Sequence, residues 1–168
     1  LFTLNRHLNI CQISMAKKQT RNNKKELIIE VGWREWISFP KYNDFSLKAK
    51  IDTGARSSAL HATHIKEFKI KRKNWVSFRI YQSGKFINVE RPVKGYRVIK
   101  SSIGKKQVRP VIRMKIKLGT KSWFTDVTLT RRSGMSYPVL IGRSSLAERY
   151  RIHPRRSFLF GHINGKTS

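Results

Sequence analysis

Asp52 is the side chain in this sequence best placed to do chemistry. It stands in Ile51-Asp52-Thr53-Gly54-Ala55, directly after a stretch, 46–51, whose polar and apolar residues alternate as in a half-buried strand. A glycine after the threonine allows a sharp turn at positive φ. Such a turn presents the Asp52 carboxylate at the bottom of a cleft, with the Thr53 hydroxyl bonding to neighbouring backbone. Ala55 is small enough for another segment of backbone to pass close by. Asx-type turns of this composition also arise for structural reasons alone, so the triplet by itself leaves an acid–base carboxylate and a plain turn both open.

A second segment changes the weighing. Pro138-Val139-Leu140-Ile141-Gly142-Arg143-Ser144-Ser145-Leu146 reads as a buried apolar strand, a glycine, an arginine and a short helix, with Gly142 lying 90 residues beyond Asp52. The helix is expected over 144–150, with Ser144 as its N-cap.

Two other groups of residues could carry chemistry. His61 and His64 are the only closely spaced histidines; His7, His153 and His162 are scattered. Catalytic zinc takes about three protein ligands and an open position, and no zincin-type glutamate accompanies the pair. Both histidines are read as structural or surface groups, and neither a metal nor a cofactor is expected. Asp126, in an alternating stretch, is a conceivable second carboxylate, although an exposed strand residue is the plainer reading.

The elements that must position these residues are short and β-rich. Strands are expected over 27–31, 36–39 (stopped by Pro40), 46–51, 75–81 with 86–89 as a hairpin, 97–99 with 107–111 as a second, and 113–118 with 123–130 as a third. A buried strand follows at 138–141 and a closing strand at 157–160. Many short strands, regular turns and one helix indicate an all-β barrel or sandwich.

The chain has 168 residues, enough for one domain plus tails. A hydrophobic fraction of 39%, with four Trp, nine Phe and five Tyr, can build a core. Residues 1–25 read as a basic flexible arm, 26–162 as the domain and 163–168 as a tail. Met15-Ala16-Lys17-Lys18 resembles a translation start, which would make 1–14 an upstream extension. Cys11 is the sole cysteine, which excludes an intrachain disulfide and a cysteine metal cage. No apolar run reaches the roughly 18 residues of a spanning helix, and 1–13 makes a poor secretory signal; a cytoplasmic protein without a membrane partner is expected. Thirty-seven Lys and Arg against nine acids give a formal charge of +28, which draws anionic partners of any kind.

The two motifs together resemble the retropepsins, in which an apolar-Asp-Thr-Gly-Ala segment and an apolar-apolar-Gly-Arg segment cross to form a ψ-shaped loop. Longer stretches are similar to a small bacterial family of retropepsin-like proteins often labelled ATP-dependent zinc proteases. These are 51–62, Arg91-Pro92-Val93-Lys94, Ile99-Lys100-Ser101-Ser102-Ile103-Gly104, Arg109-Pro110-Val111-Ile112, Val127-Thr128-Leu129-Thr130, 137–143 and Ser157-Phe158-Leu159. The resemblance covers about 27–161. It implies a closed acid-protease barrel with one short C-terminal helix, working as a two-fold homodimer.

Amide hydrolysis by carboxylates needs one to accept a proton from water and one to donate, and two close carboxylates share a proton. With one such Asp per chain, symmetry supplies the other. The resemblance therefore implies Asp52, Thr53 and Gly54 as the catalytic loop, Thr53 locking the two loops together. Ala55, Arg56 and a flap of Ser101, Ser102, Ile103 and Gly104 would contact substrate, with Gly142 and Arg143 shaping the loop. Viral retropepsins usually have an acid where this chain has Arg56. That cation favours an acidic peptide or polyglutamylated protein as substrate, in keeping with the association of the family with glutamate ligases. The exchange also leaves open what satisfies Arg143. The rival reading is a nucleic-acid or ribosome-associated module using the arm, 66–73, Lys105, Lys106 and 151–156, with Trp75 or Tyr81 for stacking. A peptidase-fold scaffold without activity is the third.

Overall fold

The computed structural model describes residues 28–100, 104, 106–131, 134, 136–146 and 150–161. The expected N-terminal arm, the 1–14 extension, Cys11, the flap residues Ser101, Ser102 and Ile103, and the tail 163–168 lie outside the described residues. Among the described residues eleven strands and one α-helix follow one another: β1 (Ile29–Gly32), β2 (Arg34–Phe39), a 3-10 turn (Pro40–Tyr42), β3 (Phe45–Asp52), β4 (Ser58–His61), β5 (Thr63–Ile70), β6 (Lys73–Gln82), β7 (Lys85–Lys100), β8 (Lys106–Leu118), β9 (Lys121–Thr130), β10 (Val139–Gly142), α1 (Arg143–Leu146) and β11 (Tyr150–His153).

The sheet runs β2-β3-β10-β4-β9-β8-β7-β6-β5, and a Ser38–Lys117 pairing joins β2 to β8. That contact closes six strands into a ring. β7, β6 and β5 extend from it as a flange. The fold is thus the all-β closed ring with one short helix that the sequence implies. Period-two patterning drives it. In β3, Leu47, Ala49 and Ile51 point inward while Lys48 and Lys50 are exposed; in β8, Met114, Ile116 and Leu118 are buried between exposed Arg113 and Lys115. The flange contributes Val76, Phe78, Ile80 and Val89 to the same core. Each such side chain gives about 1.5–3 kcal/mol on burial.

Four local expectations are corrected. Residues 86–89 and 97–99 belong to one strand, β7, and 107–111 and 113–118 to another, β8. Both prolines are accommodated where a missing N–H matters least: Pro92 stands at the end of the β6 ladder, beside the bulge between Val93 and Gly95, and Pro110 lies just outside the β9 ladder. β4 and β5 are additional strands, obscured in the sequence by the bulge between Thr63 and Lys66. The helix begins at Arg143, so Ser144 lies inside it, and Tyr150 opens a strand. Residues 157–160 are not a strand. Phe158 has a φ of 54° and turns the chain, while the terminal pairing is made by β11, parallel to β1.

A buried carboxylate ties this end of the molecule together. Glu35 occupies an inward position of β2 with Ile37 and Phe39 and is fully buried. Its Oε1 accepts hydrogen bonds from Gly32 N at 2.6 Å and Leu159 N at 3.0 Å. The backbone of Gly32 packs so closely on the 156–157 segment that a Cβ there would lie 2.6 Å from the Arg156 carbonyl oxygen. Arg34 adds a second tie, donating to Ser157 Oγ at 2.9 Å and to Tyr137 Oη at 2.8 Å.

Replacing Glu35 strands one buried and one partly buried N–H donor. Glu35→Ala is expected to cost roughly 2–4 kcal/mol of unfolding free energy, measured by urea denaturation; a loss below about 0.5 kcal/mol would contradict the role given to this carboxylate.

Candidate active site

The site is built where β10 threads between the strands that enter and leave the Asp52 turn. β10 pairs in parallel with β3, placing Gly142 beside Asp52, and antiparallel with β4 through Val139–Leu60 and Leu140–Ala59. An apolar strand suits this position because Val139, Ile141 and Gly142 are buried between two neighbours. At Gly142 the chain meets the Ser57 backbone. A Cβ there would stand 2.5 Å from the Ser57 carbonyl carbon, so only glycine fits without a shift.

Asp52 is half-buried at the end of β3. Its Oδ1 accepts the N–H groups of Gly54 at 3.1 Å and Ala55 at 3.2 Å, so the turn orients its own carboxylate. Gly54 does not adopt the positive φ expected from the sequence. A Cβ here would sit 3.3 Å from Asp52 Oδ1, a tight contact that would press on the carboxylate. Thr53 and Gly54 are exposed, and both engage Arg143 through their carbonyls.

Arg143 settles what the sequence left open. Its Nη1 donates to the Thr53 carbonyl at 2.6 Å and the Gly54 carbonyl at 3.0 Å, so loop backbone takes the place of an acidic side chain. The loop is further stitched by Arg143 N to Ala55 O at 2.9 Å and Ser144 N to Arg56 O at 3.0 Å. Arg56 is exposed.

Behind the loop lies a hydroxyl network that sequence reasoning missed. Ser58 Oγ is 2.6 Å from Ser145 Oγ and accepts Gly142 N at 3.0 Å, and Ser145 also meets Thr125 Oγ1. Thr128 Oγ1 donates to the Ser58 carbonyl. All four hydroxyl residues are buried. The available signal was four hydroxyl residues at inward strand or helix positions, which carry no information about one another until the fold is known.

Gly104 has a φ of 81° and is exposed, and β7 and β8 are paired out to Lys100–Lys106. On this hairpin Val98 and Val108, directly opposite each other, are 61% and 63% exposed, an apolar pair that had not been singled out. Asp126 lies away from Asp52 in role: it pairs with Lys94 at 2.5 Å on the surface. No group of three His, Cys, Asp or Glu side chains suited to a metal occurs among the described residues, and His64 instead sits in a row of aromatic rings with Tyr81. The residues thus do not fit the zinc in the family label. A cavity of about 580 Å³ is lined by Trp36, Tyr42, Asp44, Phe45 and Phe86 among others, and none of the expected site residues borders it. Burial raises the Tyr42 hydroxyl pKa there, with nearby Arg91 opposing the shift.

A closed strand ring carrying an Asp-Thr-Gly turn crossed by a Gly-Arg strand defines a retropepsin-like protein. The profile of the RimB-like family, described as the retropepsin-like aspartic endopeptidase RimB, matches residues 30–162, and the chain belongs to that family. A protein of unknown function from Legionella pneumophila, Lpg0085, has a similar structure: TM-score 0.67 and 30% identity, over 78% of this chain and 97% of that one. Proteins named probable alpha-L-glutamate ligase are also similar. The one from Shewanella pealeana is 38% identical over 135 residues, and the one from Desulfotalea psychrophila 34% over 138. The alignments cover 78% and 80% of this chain but 30% of each relative, so the chain corresponds to less than a third of those proteins.

Adding a methyl at Gly142 forces the β10 strand away from Ser57. Gly142→Ala is expected to lose about 1–3 kcal/mol of stability, read as a lower urea midpoint; an unchanged midpoint would show that the crossing is looser than its geometry.

Proposed function

We propose that this protein is an aspartic endopeptidase that acts as a two-fold dimer on acidic, polyglutamate-type polypeptides. The observation that carries the reading is the Asp52 turn itself, with a half-buried carboxylate fixed by the Gly54 and Ala55 N–H groups at the end of β3, in a chain of the retropepsin-like family. One carboxylate cannot both accept and donate the protons of amide hydrolysis. A second copy related by a two-fold axis supplies its own Asp52.

Two carboxylates at hydrogen-bond distance hold one proton between them. The ionised member takes a proton from a water molecule, and the oxygen of that water attacks the peptide carbonyl carbon. The protonated member donates to the carbonyl oxygen. Collapse of the tetrahedral intermediate breaks the C–N bond, the amine nitrogen receives a proton, and the pair returns to one shared proton. The β7–β8 hairpin tip closes over the substrate and excludes water. Tyr96, Val98 and Val108 line one face of its arms and offer apolar contact.

The acidic substrate class is supported by exposed Arg56 beside the catalytic turn, by the overall charge of +28, and by the relatives named as glutamate ligases. Arg143 is held by loop carbonyls, while Arg56 contributes its backbone carbonyl to the turn and its side chain is exposed. No helix among the described residues is long and apolar enough to cross a membrane, and we place the activity in the cytoplasm.

Asp52→Asn is expected to retain fold and dimer, by circular dichroism and sedimentation, while cleavage of an oligoglutamate-tailed peptide falls at least about 10³-fold. Retained turnover would refute the catalytic assignment. Arg56→Glu is expected to raise KM for that peptide about tenfold or more with kcat for a neutral peptide little changed. Equal effects on both peptides would remove Arg56 from substrate recognition.

A further inference from the structure

The flange formed by β5, β6 and β7 has a face that neither the barrel nor the proposed peptidase chemistry uses. Along β6, Val76, Phe78 and Ile80 point into the core, so Trp75, Ser77, Arg79 and Tyr81 point outward. Register places Phe86 opposite Tyr81, Asn88 opposite Arg79 and Glu90 opposite Ser77 on β7, and Lys66 opposite Ser77 and Phe68 opposite Trp75 on β5.

Three rings on this face form a row. His64 and Tyr81 have centroids 6.5 Å apart, and Tyr81 and Phe86 are 5.2 Å apart. Tyr81 and Phe86 are 37% and 46% exposed, an unusual outlay of aromatic surface. The Arg79 guanidinium lies over the Phe86 ring at 4.8 Å and is anchored by its Nε bond to Asn88 Oδ1 at 3.1 Å. Beside the row, a depression of about 240 Å³ is lined by His64, Lys66, Ser77, Arg79, Asn88 and Glu90. Lys85 flanks Phe86, and Lys71, Arg72 and Lys73 stand at the far end of the face, at the β5–β6 turn; all are exposed.

We propose that this face is a binding surface for single-stranded RNA. Exposed rings in sequence offer stacking platforms to unpaired bases, while flanking cations track a phosphate backbone. Ser77 and Asn88, set between rings and cations, are hydroxyl and amide groups able to meet a 2′-hydroxyl. An acidic polypeptide would use the cations but has no use for the rings; an apolar protein partner would use the rings but not Lys66, Arg79 and Lys85 beside them. RNA uses both. Glu90 is the one acid lining the depression, and it places the backbone path on the Lys66 and Arg79 side. The surface lies on strands other than those carrying Asp52, so its occupancy and the peptidase reading stand or fall separately.

The test uses the full chain and a fluorescein-labelled oligouridylate of about 12 nucleotides, with binding followed by anisotropy across a salt series. Tyr81→Ala and Phe86→Ala are each expected to weaken binding about tenfold without altering the dependence on salt. Arg79→Gln is expected to reduce the slope of log affinity against log salt by about 0.7. Tyr81→Leu, which keeps apolar bulk but removes the ring, is expected to behave as Tyr81→Ala. Wild-type affinity in all the ring variants would overturn the proposal, since binding would then be charge alone. So would equal affinity for the matching oligodeoxythymidylate or for the RNA duplex. An oligoglutamate peptide that loses affinity with the same ring substitutions would assign the face to acidic polypeptide instead.

Discussion

The close approach of Gly142 to the Ser57 backbone is the constraint on which the rest of the site depends. β10 can lie between β3 and β4 only because no side chain stands at that point. Once it is there, Arg143 is delivered to the Thr53 and Gly54 carbonyls, and α1 begins where its backbone N–H groups meet the Ala55 and Arg56 carbonyls. The Asp52 turn is thereby held from both sides. Its carboxylate needs no further partner in the chain to keep its orientation, because its own turn donates two N–H groups. The buried Ser58, Ser145 and Thr125 hydroxyls satisfy the Gly142 N–H and brace helix against strand. An unmet donor at that depth would cost about 1–3 kcal/mol, so the polar network is part of the packing.

The fold class was legible because period-two alternation survives in β3, β6, β8 and β9, and the two motifs could be recognised from residue type and order. What stayed hidden has a common physical cause. β7 and β8 were divided where their alternation lapses, and Pro92 and Pro110 sit within them where a ladder bond is absent on one side. β5 was obscured by a bulge that breaks its alternation. Gly54 was given a torsional reason, whereas its φ is not positive and a Cβ there would press on the Asp52 carboxylate. The terminal strand was placed too late, since 157–160 looks apolar but turns at Phe158, while 150–153 has the unpromising composition Tyr-Arg-Ile-His and still pairs with β1. Glu35, fully buried, could have been suspected from its place on the inward side of β2, where a charge has no reason to stand unless it is bonded.

Charge is distributed in a way that separates structural from free cations. Arg34 and Arg143 spend their guanidinium groups on neighbouring side chains and carbonyls, and Lys94 is paired with Asp126. The cations on the flange are exposed, and with nine acids in the whole chain there are too few carboxylates to neutralise them. An excess of this size opposes its own compaction and favours any polyanion that lowers the repulsion. Both proposed ligands, an acidic polypeptide at the Asp52 turn and RNA on the flange, follow from that imbalance but are distinguished by what lies among the charges: a carboxylate turn in one place, stacked rings in the other.

β7 joins these two regions. It runs unbroken for 16 residues from Lys85, beside the ring row, to Lys100, at the base of the hairpin tip. At roughly 3.3 Å per residue that is a rod of about 50 Å, and its ladder slips register between Val93 and Gly95. The slip falls where β7 passes from its ladder with β6, residues 85–92, to its ladder with β8, residues 93–100, so one strand serves both regions but each is carried on a different partner.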